Sequence, residues 1–211
     1  MNDSDELYTI TVGRSFGAGG RAVGRRLAER LGIEYYDKEL LVQAASHAGM
    51  DAGLFERNDE RAPGFLAGVM PMSMGYSPLA WYAGPGGAGG EAVYTAQSDF
   101  IRHLADTRSC VIVGRTADYV LRDRRRVLNV FLHAPEEACL DRILSRQDCA
   151  DREKARSLLR KTNRARAEFY NFYTDRTWGA APTYHLTIDS STLTVDEIVD
   201  TIIDFLHKFL K

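Results

Sequence analysis

Residues Thr11–Gly32 read "TVGRSFGAGGRAVGRRLAERLG", and the organisation of the chain follows from this stretch. Just before its glycines lies "YTITV" (Tyr8–Val12), a β-branched and aromatic run that predicts a strand entering a tight loop. Just after them, Val23, Leu27 and Leu31 recur at four-residue spacing, with Arg25, Arg26, Glu29 and Arg30 on other faces. That spacing predicts an amphipathic helix, closed by Gly32. A helix N-terminus carries unpaired backbone N–H groups and a partial positive charge. Glycines ahead of it let the chain wrap an anion with those groups pointing inward. Gly17, Ala18, Gly19, Gly20 and Arg21 are therefore candidate phosphate-binding residues. Two other readings stay open. Glycine-rich strand–helix turns also arise from close packing. A dinucleotide fingerprint would need GxGxxG, which the glycines at 17, 19 and 24 do not match, although Asp37 lies near the distance of its acidic partner.

Beyond this unit, strands and helices alternate. "IEYYD" is a short second strand ending at Asp37, and Lys38–Ala48 reads as a helix. Val93–Ala105 is helical, "SCVIVGR" is a buried strand, and "VLNVFLH" is another after the basic turn "RDRRR". "APEEACLDRIL" places Pro135 and two acids in a first helical turn. Asp151–Tyr173 is a long basic helical stretch, "YHLTID" a fifth strand, and Thr194 with Glu197 a capping box opening the last helix. Short continuous apolar strands between helices predict a three-layer α/β domain with a parallel sheet. Ligands of such sheets bind at the carboxyl ends of the strands. The loops at Gly13–Arg21, Asp37 and Gly114–Asp118 fall there.

The chain has 211 residues, 45% hydrophobic and 27% charged, with a net charge of −2. This predicts one domain over 1–211 without a general attraction to nucleic acid or anionic membranes. No apolar run is long enough to span a bilayer, and "MNDSDELY" lacks the features of a signal peptide. Cys110, Cys139 and Cys149 have no CxxC spacing and fit buried thiols of a cytoplasmic protein. The segment 62–90 is irregular and rich in Gly, Pro, Met and aromatic residues. It reads as a loop, as a flap over a ligand, or as a homo-oligomer contact. The five histidines form no catalytic constellation. Tyr76, Trp81 and Tyr82 are candidates for stacking on a base or for an apolar contact.

The stretches "ITVGRSFGAGGRAVGRRLAERLGIEYYDKELL", "CVIVGRTADYVL", "VFLHAPEEACLDRI", "NRARAEFYNFYTDRTWG" and "YHLTIDSSTLTVDEIV" together resemble the bacterial cytidylate kinase-like proteins, relatives of cytidylate kinase. The resemblance covers nearly the whole chain outside 62–90. It implies a P-loop kinase fold with a five-stranded parallel sheet, helices on both faces and a helical, arginine-bearing lid at about 151–175. It implies ATP-dependent phosphoryl transfer to a nucleoside monophosphate such as CMP, with ATP and Mg2+ as cofactors and a small-molecule nucleotide as partner. The alternatives are a non-catalytic nucleotide- or phosphate-binding module on a degenerate kinase fold, or a kinase for another small phosphate acceptor.

Aligned without gaps, "RSFGAGGRA" (Arg14–Ala22) falls on the family loop GPSGAGKGT. Gly17 and Gly19 match. Gly20 takes the place of the phosphate-gripping lysine, and Ala22 that of the threonine that helps to hold magnesium. "VIVGRT" falls on "IADGRD", so Val113 and Thr116 stand where two acids are expected, while Arg115 is retained. Asp37 falls at the acceptor site and, with Arg115, is expected to bind the acceptor. Arg160 and Arg164 in "RKTNRA" fall on the lid arginines and, with Arg21, are the expected catalytic cations. Arg21 is the expected substitute for the lysine. Asp37 or Asp118 are the acids expected to orient Mg2+.

Overall fold

Five strands form a single parallel sheet in a computed structural model that describes residues 7–37 and 90–211. They are β1 (Thr9–Arg14), β2 (Glu34–Tyr36), β3 (Cys110–Val113), β4 (Val127–His133) and β5 (Leu186–Asp189), in the spatial order β2-β3-β1-β4-β5. Every neighbouring pair is parallel. A parallel sheet must be covered on both faces, so successive side chains of a strand enter opposite cores. On β3, Val111 and Val113 join Ile10, Val12, Leu128 and Val130 in one core. That core is roofed by α1 (Gly20–Leu31) and the last helix, α6 (Val195–Phe209), through Val23, Leu27, Ile198 and Ile202. Cys110 and Ile112 face the other way, against Phe100, Ile101 and Leu104 of α2 (Gly90–Thr107) and Ala117 and Val120 of α3 (Ala117–Val120). A third cluster joins Leu140 and Ile143 of α4 (Glu136–Ser145) to Ala155 and Leu159 of α5 (Arg152–Thr174), with Phe16 packed against it. This is the expected three-layer α/β architecture.

Helix starts follow local chemistry. Pro135 is the N-cap of α4 rather than part of its first turn, and Glu136 and Glu137 sit at the positive end of the dipole. Asp151 caps α5 by accepting from the Lys154 amide at 2.8 Å. Thr194 and Glu197 form the reciprocal capping box of α6. His133 closes β4. His185 precedes β5, where its Nδ1 accepts from the Asn129 amide at 3.0 Å, a structural role. Burial pushes the Cys110 thiol up to about 11, which leaves it protonated and unreactive. The helix read at Lys38–Ala48 and the irregular segment lie outside the described residues, apart from Gly90, which begins α2.

Candidate functional site

β1 ends in the centre of the sheet, with strands on both sides, so the loop after it opens onto the crevice at the carboxyl ends. Gly17 and Gly19 turn this loop with φ of 83° and 82°. Its carbonyl oxygens are drawn back into the protein. Arg14 O accepts from Arg166 Nη1 (3.1 Å), Gly17 O from Arg142 Nη1 (3.5 Å), Ala18 O from Ser190 Oγ (2.9 Å) and Gly19 O from the Val23 amide (3.1 Å). The Phe16 amide is spent on Asn163 Oδ1 at 2.7 Å and the Ser15 amide on Leu132 O at 2.9 Å. Among the described residues, the amides of Gly17, Gly19, Gly20 and Arg21 donate to no protein acceptor. Carbonyls bonded within the protein and amides left without a protein acceptor make this turn a candidate anion nest at the start of α1.

Beside the nest lies a chain of three charges. Arg21 Nε meets Asp37 Oδ2 at 2.7 Å, and Arg14 Nη2 approaches Asp37 Oδ1 at 3.6 Å. Asp37 is 3% exposed, and a carboxylate so buried requires cationic partners. The Arg14 side chain runs from the end of β1 beneath Gly20 to Gly114 at the end of β3. A Cβ at residue 20 would lie 2.7 Å from Arg14 Cγ and 2.8 Å from its Cβ, and one at residue 114 would lie 2.0 Å from its Nη1. Arg21, expected to reach over the loop, is instead turned to Asp37.

Gly114, Arg115 and Thr116 all adopt left-handed conformations, with φ of 77°, 63° and 52°. For non-glycine residues this costs on the order of 1–2 kcal/mol each. The turn is held by Gln97 Nε2 donating to Arg115 O at 3.3 Å and by Thr116 Oγ1 donating to the same oxygen at 2.6 Å. Asp37 and Arg115 thus follow adjacent strands, β2 and β3. Asp118 does not present its carboxylate as a metal ligand. It is buried and accepts from Tyr170 Oη at 2.6 Å.

Burial raises the Asp118 carboxyl above its ordinary value. The folded state therefore keeps this proton to higher pH than the unfolded chain, and stability contributed here falls as pH rises from about 4 through the folded-state value. Asp118→Asn, which retains an acceptor for Tyr170, is expected to flatten that decline. Urea denaturation of both proteins at pH 4.5 and 7.5 checks it, and equal losses in the two proteins would refute it.

The basic stretch is one continuous helix, α5, whose two faces differ. Arg166, 8% exposed, holds the loop from behind and lies over the Phe16 ring at 5.6 Å. Arg160 and Arg164 are on the outside. Arg160 pairs with Glu136 of α4 (3.0 Å) and Arg164 with Glu168 (2.8 Å). Neither is paired with the loop, Arg21 or Arg115 among the described residues. The structure thus brings together Gly17–Arg21, Asp37 and the Gly114–Thr116 turn as the candidate site, while Arg160 and Arg164 pair with Glu136 and Glu168 instead. Sequence reading missed Arg14, Asn163 and Arg166. The one available signal for Arg14 was the double departure that put an arginine on the loop's first glycine and a glycine on its lysine.

Residues 9–192 match the cytidylate kinase-like family. The chain belongs to this family. A crystal structure of an uncharacterized protein from Eubacterium ventriosum is similar at 26% identity, with a TM-score of 0.69, covering 95% of this chain and 99% of that one. The shikimate kinase from Acinetobacter baumannii solved with shikimate shares the fold at 18% identity (TM-score 0.53, 98% of each chain). A gluconokinase from Sinorhizobium meliloti does so at 15% identity (TM-score 0.54, 97% and 94%). No match to a curated protein was found. Family and fold thus place the chain among kinase-like proteins with a P-loop core. Among the described residues no helix is long and apolar enough to cross a membrane.

Proposed function

We propose that this cytidylate kinase-like protein transfers the γ-phosphoryl group of ATP to a nucleoside monophosphate, with CMP the first acceptor to test. The observation that carries the reading is the loop of free amides at Gly17, Gly19, Gly20 and Arg21 with its carbonyls turned away. An oxygen of the acceptor phosphate forms the new bond to the γ-phosphorus. The bond to the β–γ bridging oxygen breaks, and ADP leaves with that electron pair. A monophosphate is largely ionised at neutral pH, so its oxygen attacks without a general base. The protein's task is positioning and charge stabilisation. Asp37 and Arg115, following adjacent strands, would hold the acceptor. Arg160 and Arg164 would close over the transferred group, exchanging exposed ion pairs, which are weak in water, for phosphate contacts.

Mg2+ fits less well. Among the described residues no cluster of three or more His, Cys, Asp or Glu side chains could hold a metal. Asp37 is taken by two arginines and Asp118 by Tyr170. Ala22 and Val113 offer no ligand where the family expects a hydroxyl and an acid. These departures favour the second reading, a nucleotide- or phosphate-binding module without turnover. A coupled ADP-release screen over nucleoside monophosphates, with ATP and Mg2+, separates the two when run beside thermal-shift binding. ADP release that depends on CMP supports the kinase. A nucleotide-dependent thermal shift with no turnover on any acceptor supports the module.

A further inference from the structure

We propose that Arg14 supplies the positive charge missing from the lysine position of the loop, its guanidinium reaching the terminal phosphate of a bound nucleoside triphosphate from the end of β1. This rests on the reading of Gly17–Arg21 as a phosphate loop.

Three observations converge on it. The first is volume. The lysine position is Gly20, and a Cβ there would meet Arg14 Cγ at 2.7 Å, Cβ at 2.8 Å and Cδ at 3.3 Å. The stem of the arginine fills the space from which a lysine stem would start, so a cation enters the same place from a different residue. The second is reach. Nη1 lies over Gly114, whose Cβ position is 2.0 Å away, so the guanidinium sits between the loop and the Gly114–Thr116 turn. Donor and acceptor phosphates of the proposed reaction would meet there.

The third is unspent hydrogen bonding. A guanidinium has five N–H donors. Among the described residues that of Arg14 makes no hydrogen bond, and its ion pair with Asp37 is 3.6 Å long. The side chain is only 14% exposed. Donors fixed in a sheltered site and left unsatisfied by the protein are preorganised for an anion. Arg21 has the opposite character. It is 52% exposed and bound to Asp37 at 2.7 Å, which makes Arg21 and Asp37 a positioning pair for Arg14.

Calorimetric titration with inorganic tripolyphosphate and with ATP tests the assignment on the full chain, with unfolding midpoints measured for every variant. Arg14→Gly should weaken both by about 10- to 100-fold, the range for lost hydrogen bonds from a charged donor. Gly20→Lys should weaken binding in the native background, where two stems collide, yet restore it in Arg14→Gly, where the volume is vacant. Arg14→Lys should retain part of the affinity. Arg14→Met keeps the stem without the charge, should fold like the native protein, and should lose binding. Native affinity in Arg14→Met or in a folded Arg14→Gly overturns the role of Arg14 while leaving the phosphate-loop reading intact. Loss that neither Arg14→Lys nor Gly20→Lys recovers makes Arg14 a structural strut and also overturns it. A native protein that binds neither probe overturns the phosphate-loop reading itself, and this assignment with it.

Discussion

Gly17→Val is expected to abolish nucleotide binding and to destabilise the fold, for two separable reasons. Residue 17 holds φ at 83°, a region that a β-branched side chain enters at a cost of about 1–3 kcal/mol. Its Cβ would also lie 2.7 Å from the Cβ of Cys139, 2.8 Å from its carbonyl oxygen and 2.9 Å from its Cα. Two of those atoms are backbone of α4, which cannot rotate away, so overpacking adds a further ~1–3 kcal/mol. Gly19→Ala is the control. It shares the left-handed backbone, at φ 82°, but its Cβ would have nothing within 4 Å, so only the conformational cost applies. Urea unfolding and ATP calorimetry on both variants give the comparison. Equal stabilities for the two would show that the contact with Cys139 is not what fixes the loop.

Leu140→Ala should lower stability by about 2–5 kcal/mol. Leu140 is fully buried between α4 and α5 with Ile143, Ala155 and Leu159, and Phe16 of the loop packs on this cluster. Its loss leaves a cavity beneath the helix that carries Asn163 and Arg166, the two residues holding the loop from behind. Weaker ATP binding should accompany the drop in stability. A change below about 1 kcal/mol in urea unfolding would mean that the site collapses without cost, and that the α4–α5 pair does not support the loop through this residue.

What the sequence discloses and what it hides divide along one physical line. Features set by near neighbours are legible: the spacing of Val23, Leu27 and Leu31 marks α1, Thr194 and Glu197 announce α6, and the alternation of strands and helices yields the parallel sheet. Even the left-handed turns at Gly17 and Gly19 follow from residue type. The rest depends on partners far apart in the chain. Arg14 is simply the last residue of a strand until Gly20, Asp37 and Gly114 are seen around it. Asn163 and Arg166 are two polar residues in a basic run, where pattern singled out Arg160 and Arg164. Only the folded helix shows that the first pair faces the loop while the second pair lies exposed. Asp118 looked available to a metal because its tyrosine partner is 52 residues away.

The shared volume of residues 14 and 20 also constrains how such a loop can evolve. From an ancestor with glycine at 14 and lysine at 20, arginine arriving first would collide with the lysine stem, and glycine arriving first would leave the loop without its cation. Either order passes through a handicapped intermediate. Residue 114 is locked in as well, since any side chain there would strike the guanidinium. Arg14, Gly20 and Gly114 are thus epistatic, and a lineage that has crossed to this arrangement is held there by stereochemistry. Drift at residue 20 or 114 is blocked for as long as Arg14 remains.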